Sequence, residues 1–175
     1  AAAIAALRAG ADDYLAKGDA ALERLPATLR HAWKRFHEAR HQRSRPLRVL
    51  YAEHHAADID LTRRHLDRHA PHIRLTVVEN AGQVLERLPT RAGLPADYDV
   101  VLLDYRLPEV DALEAVKVLR GERGLDIPIV IVSGQGGEEV AAQAFHLGVD
   151  DYISKHAGYL HELPATLDKV QRQAE

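Results

Sequence analysis

Residues 98–108 read Tyr-Asp-Val-Val-Leu-Leu-Asp-Tyr-Arg-Leu-Pro, and this stretch decides the fold. Residues 100–103 form an unbroken apolar run, which predicts a central strand covered by helices on both faces, as in a parallel sheet. Asp104 follows the run directly. Reacting groups of open α/β sheets lie outside the carboxyl ends of the strands, so we expect this carboxylate to face a functional site. Asp111 precedes a periodic apolar pattern and is the better helix N-cap, so capping does not account for Asp104.

On both sides of this stretch, strand and helix patterns alternate from residue 47 to the C-terminus. Strands are predicted at 47–52, 73–78, 100–103, 129–132 and 152–153, and helices at 56–69, 82–88, 111 to about 120, 138 to about 147, and beyond the last strand. Five strand and helix pairs with short connections predict an α/β fold with a doubly wound parallel sheet. Its carboxyl edge gathers the residues that follow four of the strands: Glu53, Asp104, Ser133 and Lys155.

The amino-acid composition excludes several classes of protein. Of the 175 residues, 46% are hydrophobic, enough for a core, and the net charge of -3 gives no electrostatic case for nucleic acid or an acidic membrane. Without cysteine, neither disulfides nor a thiolate metal site can form, and no apolar stretch approaches the roughly 20 residues that span a bilayer. We therefore expect a cytoplasmic protein without direct nucleic-acid or membrane binding. Because the chain has no methionine, we expect it to be part of a longer protein.

The chain repeats itself at a distance of 138 residues. Residues 6–29 match residues 144–167 at 12 of 24 positions without a gap. A basic polar run before Pro46 predicts a boundary near residue 45. Residues 1–45 are thus predicted to be the last helix-strand-helix of a preceding copy with its linker, and residues 46–175 an intact domain. A remnant without its sheet needs a partner surface. We expect a homodimer in which these segments pack on each other, or on the face between the fourth and fifth helices of the intact domain, through Leu7, Tyr14, Leu15, Leu22, Leu25 and Leu29.

Four stretches together carry a family resemblance. They are residues 48–53, 99–111, 129–134 and 148–155, in the order and spacing of a response-regulator receiver domain of two-component signalling. Residues 47–175 resemble that domain, and the N-terminal repeat resembles the end of a preceding one, as in a tandem regulator or a hybrid sensor kinase. The resemblance implies a flavodoxin-like sheet with strand order 2-1-3-4-5.

The resemblance also implies a phosphorelay chemistry. Asp104 is expected to accept a phosphoryl group from a histidine kinase or phosphotransfer protein, with Lys155 balancing charge on the phosphoryl oxygens. Ser133 is expected to turn its hydroxyl toward the new phosphoryl oxygen. Together with Tyr152 it would switch the face formed by the fourth helix, fifth strand and fifth helix. Such a domain is not a classical enzyme and at most catalyses its own phosphoryl transfer and dephosphorylation.

A magnesium ion is the cofactor that the resemblance implies. The expected ligands are Glu53, Asp104 and the backbone of Arg106, whereas His54 replaces the acidic residue that usually supplies a direct carboxylate. Magnesium prefers oxygen ligands, so its affinity is expected to fall. The resemblance also expects glycine at position 109, where this chain has glutamate.

Three alternatives follow from these residues. His54 favours a pseudo-receiver that binds proteins independently of phosphate. An enzyme of another class on the same sheet is disfavoured, because no glycine-rich phosphate loop follows the first strand. A hydrolytic metal site would use Glu53, His54, His55 and Asp104, although adjacent loop histidines rarely face one ion.

Overall fold

The computed structural model describes residues 23–33, 45–135 and 137–175. The chain divides into two compact units, Ala1–Arg45 and Pro46–Glu175. In the first unit, residues 23–33 are helical and expose Leu25, Leu29 and Trp33. The predicted helix-strand-helix remnant, and most of the apolar positions predicted to pair in a homodimer, lie outside the described residues. Within the described part of the chain, no helix is long and apolar enough to cross a membrane.

The second unit is built on a five-stranded parallel sheet. Its strands are β1 (Leu47–Ala52), β2 (Ile73–Val78), β3 (Val100–Asp104), β4 (Ile129–Ser133) and β5 (Asp151–Ser154). Their order is β2-β1-β3-β4-β5, which confirms the predicted flavodoxin-like topology. Ala52 pairs with Leu103, so Glu53 and Asp104, the next residues, lie side by side at the carboxyl edge of the sheet. At the same edge, Ser133 pairs with Ser154, the residue before Lys155.

Helices cover both faces of the sheet. They are α1 (Ala56–His69), α2 (Ala81–Arg87), α3 (Ala112–Lys117) with a π-helical turn (Val118–Glu122), α4 (Glu138–His146) and α5 (Tyr159–Ala174). Asp111 caps α3 by accepting a hydrogen bond from the Glu114 amide, as predicted. Helix α2 begins one residue before its predicted start because the Asn80 side chain accepts from the Gln83 amide and caps it there.

Alternate residues of each central strand enter opposite cores. In β3, Val101 and Leu103 pack with residues of α2 and α3, whereas Val100 and Leu102 pack with residues of α1 and α5. All five residues of β3 are buried. Strands covered on both faces must be continuously apolar, which is why this run predicted the sheet. The two cores are apolar, whereas buried polar residues, among them Glu53, Asp104 and Ser133, lie at the carboxyl edge of the sheet.

One turn residue at that edge has an unusual backbone. Glu109, at the position where the resemblance expects glycine, has a φ of 69°, in the left-handed region. A Cβ atom is disfavoured in that region, so the turn after Pro108 is strained in this chain.

Candidate functional site

Lys155 lies at the centre of the polar residues at the sheet edge. Its Nζ is 2.8 Å from Glu53 Oε2, 2.5 Å from Asp104 Oδ2 and 2.8 Å from Asp58 Oδ2. The side chain of Lys155 is 12% exposed, and that of Glu53 is fully buried. Three of the four residues predicted to meet here, Glu53, Asp104 and Lys155, are therefore in direct contact.

The remaining oxygens of the two buried carboxylates are held by backbone amides. Asp104 Oδ1 accepts a hydrogen bond of 2.8 Å from the Arg106 amide. Glu53 Oε1 accepts two, each of 2.9 Å, from the amides of His54 and His55. These contacts fix both carboxylates relative to their own loops. Both carboxylates thus keep a constant orientation toward Lys155.

Asp58 is a member of this site that the sequence analysis missed. It lies in the first turn of α1, and its side chain is 32% exposed. The available signal was its spacing, because a residue five positions after Glu53 and within the first helical turn remains near the strand edge. An acidic residue in a first turn is, however, ordinarily explained by the helix dipole, which hides such a role.

The charges and burial of the pocket shift the pKa values of the two buried carboxylates, Asp104 and Glu53, in opposite directions. Burial raises the pKa of Asp104; Glu53 raises it further, and Lys155 only partly offsets these effects. Burial also disfavours the charged form of Glu53, but Lys155 and the loop amides outweigh it, so the pKa of Glu53 is lowered. For Lys155, the carboxylates outweigh burial and raise its pKa, so it stays charged. Three carboxylates face one ammonium, leaving an excess of negative charge.

Ser133 and Tyr152 adjoin the site without a hydrogen bond to its carboxylates. The buried Ser133 hydroxyl donates to the Gln135 carbonyl and accepts from the Gln135 amide at 3.2 Å. The Tyr152 ring packs against the core, and its buried hydroxyl has no hydrogen-bond partner among the described residues. In a switch, Ser133 would have to give up its hydrogen bonds to Gln135, whereas the Tyr152 hydroxyl would be free to gain a partner.

His54 and His55 lie on the exposed side of the pocket. The centroids of the two rings are 4.0 Å apart, and His54 Nδ1 is 3.7 Å from Glu53 Oε1. Glu53, His54 and His55 form a group whose ligand atoms lie within 4.8 Å of one another. Of the four residues considered for a hydrolytic metal site, these three are grouped, without Asp104.

Comparison with known proteins identifies the family of this site. Residues 49–167 match the response regulator receiver domain. The transcriptional regulatory protein ResD of Bacillus subtilis is 30% identical over 108 residues, 62% of this chain and 41% of ResD. The transcriptional regulatory protein CiaR of Streptococcus pneumoniae is 34% identical over 77 residues, 44% of this chain and 34% of CiaR. The chain thus spans less than half of these relatives.

Solved structures agree on the fold. The receiver domain of the Francisella response regulator 1452 matches with a TM-score of 0.62 and 22% identity, over 73% of this chain and 98% of that one. At 22% identity, this structural similarity supports the fold of the second unit and nothing further.

Proposed function

We propose, from the premise that the chain belongs to the response regulator receiver domain family, that it accepts a phosphoryl group on Asp104 in a two-component phosphorelay. The donor is the phosphohistidine of a histidine kinase or phosphotransfer protein. An Asp104 oxygen forms the new bond to phosphorus while the phosphorus–nitrogen bond of the donor breaks. The electron pair of the broken phosphorus–nitrogen bond stays on the imidazole nitrogen, which takes up a proton.

The observation that carries this proposal is the contact between Lys155 Nζ and Asp104 Oδ2 at the carboxyl edge of the sheet, where Asp104 ends β3 and Lys155 follows β5. A cation in this place meets the negative charge that develops on the phosphoryl oxygens during transfer. The Arg106 amide holds the other Asp104 oxygen, which orients the carboxylate. Lys155 therefore supplies the positive charge, and the Arg106 amide orients the Asp104 carboxylate for phosphoryl transfer.

The donor set of the pocket fits a divalent cation, for which the family resemblance implies Mg²⁺. Three carboxylates against one ammonium leave an excess negative charge, and carboxylate oxygens are the ligands that Mg²⁺ prefers. Glu53, Asp104 and the backbone of Arg106 would hold the ion. Asp58 would supply the additional carboxylate that is missing at position 54, where this chain has a histidine. The ion would neutralise charge on the phosphoryl oxygens.

Phosphorylation is proposed to act on the face formed by α4, β5 and α5. Ser133 would exchange Gln135 for a phosphoryl oxygen, and the Tyr152 ring would follow. Movement of Tyr152 is favoured by the present arrangement, because its hydroxyl is buried without a partner among the described residues. This face would then bind the downstream partner in a phosphorylation-dependent manner.

A pseudo-receiver is the second candidate. Two observations favour it: an imidazole stands at the position of a carboxylate ligand, and Lys155 is shared among three carboxylates. In that case the same face binds its partner whether or not Asp104 carries phosphate.

Intact-mass measurement after incubation with a small acyl phosphate tests the proposal. We expect the mass of one phosphoryl group on the unaltered chain and none on Asp104→Asn. Asp111→Asn is the matched control, since it makes the same chemical change seven residues away and asparagine still caps a helix. Absence of label on the unaltered chain, with any divalent cation, would support the pseudo-receiver instead.

A further inference from the structure

The loop after β1 places two imidazoles beside a buried carboxylate. Glu53 is fully buried, and its Oε1 accepts hydrogen bonds from the backbone amides of His54 and His55. These bonds fold the loop around the carboxylate and anchor both histidines at its edge. One ligand atom from each of the three residues lies within 4.8 Å of the others.

This group has the donor chemistry of a transition-metal site. Neutral imidazole nitrogen suits Zn²⁺, Co²⁺ and Ni²⁺, whereas Mg²⁺ demands hard oxygen ligands. We propose that the loop after β1 binds a transition metal of the cobalt to zinc series through Glu53, His54 and His55. The role of the ion in phosphorylation rests on the proposed function, but its binding does not.

The geometry needs only small side-chain movements. Ligand atoms at 2.0–2.1 Å from a tetrahedral zinc lie about 3.4 Å from one another, so the three atoms, all within 4.8 Å, must close by at most about 1.4 Å. His54 and His55 are exposed, and their rings can rotate about the side-chain bonds without disturbing the core. Their exposure also provides the entry path. The third ligand, Glu53, is held by the loop amides and by Lys155, so the ion must replace one of these hydrogen bonds at its carboxylate.

The surrounding charge assists such an ion. Asp104 and Asp58 contact the same Lys155 ammonium as Glu53 and add negative charge near the site. A divalent cation therefore relieves repulsion that the single ammonium leaves unbalanced. A site with two imidazoles and one carboxylate leaves further coordination positions open, as catalytic zinc sites do.

Metal titration of the full chain, freed of metal with a chelator, tests the inference. Calorimetry gives the affinities for Zn²⁺ and Mg²⁺, and the visible absorption of bound Co²⁺ reports nitrogen ligation directly. Nearly any mixed site prefers Zn²⁺ to Mg²⁺, so the decisive quantity is dependence on the histidines. We expect His54→Ala/His55→Ala to lower Zn²⁺ affinity at least tenfold and to leave Mg²⁺ affinity within twofold.

A matched control removes two other histidines. His65 and His69 on α1 have ring centroids 4.5 Å apart and contact His161, so they form the other histidine cluster of the described residues. His65→Ala/His69→Ala should leave Zn²⁺ affinity within twofold. The inference is overturned if the 54/55 variant keeps its affinity, or if the control loses it.

The same samples separate this inference from the proposed function. Label on Asp104 with Mg²⁺, together with Zn²⁺ binding that ignores His54 and His55, would overturn the inference and leave the proposed function standing. Zn²⁺ binding that needs both histidines, without label on Asp104 under any metal, would support the inference and remove the phospho-acceptor role.

Discussion

Replacement of Lys155 by methionine tests how strongly the charge cluster depends on one ammonium. The change keeps a long side chain but leaves Glu53 and Asp104, both buried, without their shared partner. Removing one partner of a buried ion pair costs about 3–5 kcal/mol. Asp58 is partly exposed and regains water, so we expect the lower end, about 3 kcal/mol. In a domain of this size that is a fall in Tm of about 11 °C.

The pH dependence has a definite sign. Because the pKa of Asp104 is raised on folding, the stability that its protonation brings is present below its ordinary pKa and is lost as pH rises through the raised value. Because the pKa of Glu53 is lowered, its contribution is present above its ordinary pKa and is lost as pH falls. Without Lys155, both carboxylates bind protons more readily. The deficit of Lys155→Met should therefore be largest at neutral pH and shrink in acid.

Urea unfolding followed by far-ultraviolet circular dichroism, in chelator, measures the effect. Lys117→Met is the matched control, because Lys117 pairs with Glu114 on the surface, with both side chains more than half exposed. Solvent screens an exposed pair of this kind, so its loss should change the free energy of unfolding far less than the loss of Lys155. If the two variants lose equal stability at neutral pH, the ammonium is not the main support of the buried carboxylates, and the reasoning fails.

Three further predictions use the same domain. His54→Asp restores a hard oxygen donor, so Mg²⁺ binding should tighten several-fold and phosphorylation of Asp104 should accelerate; an unchanged Mg²⁺ titration would mean that residue 54 does not face the ion. Glu109→Gly should stabilise the domain by about 1 kcal/mol in urea unfolding, because glycine adopts a φ of 69° without strain; a loss of stability would contradict this. Tyr152→Phe removes a buried hydroxyl that lacks a partner among the described residues and should raise the free energy of unfolding by about 1 kcal/mol, whereas a lower value would reveal a hydrogen bond of that hydroxyl.

The sequence alone determined the sheet and the position of its active edge. Residues 100–103 are uninterrupted apolar residues because both faces of β3 are covered, and that physical requirement is visible without coordinates. Parallel strands end at one edge, so residues that directly follow them must assemble there. This is why Glu53, Asp104 and Lys155 could be placed together before any distance was known.

Only the tertiary structure decided which side chains touch within that edge. The spacing of Asp58 from Glu53 keeps it near the strand edge, but its contact with Lys155 depends on how α1 packs on the sheet, which spacing alone does not determine. The hydroxyl of Ser133 is bound by its own loop at Gln135, although the end of its strand was predicted to within one residue. Strand periodicity fixes where a residue sits along the sheet, whereas the direction of a side chain in a loop or first turn depends on partners distant in sequence.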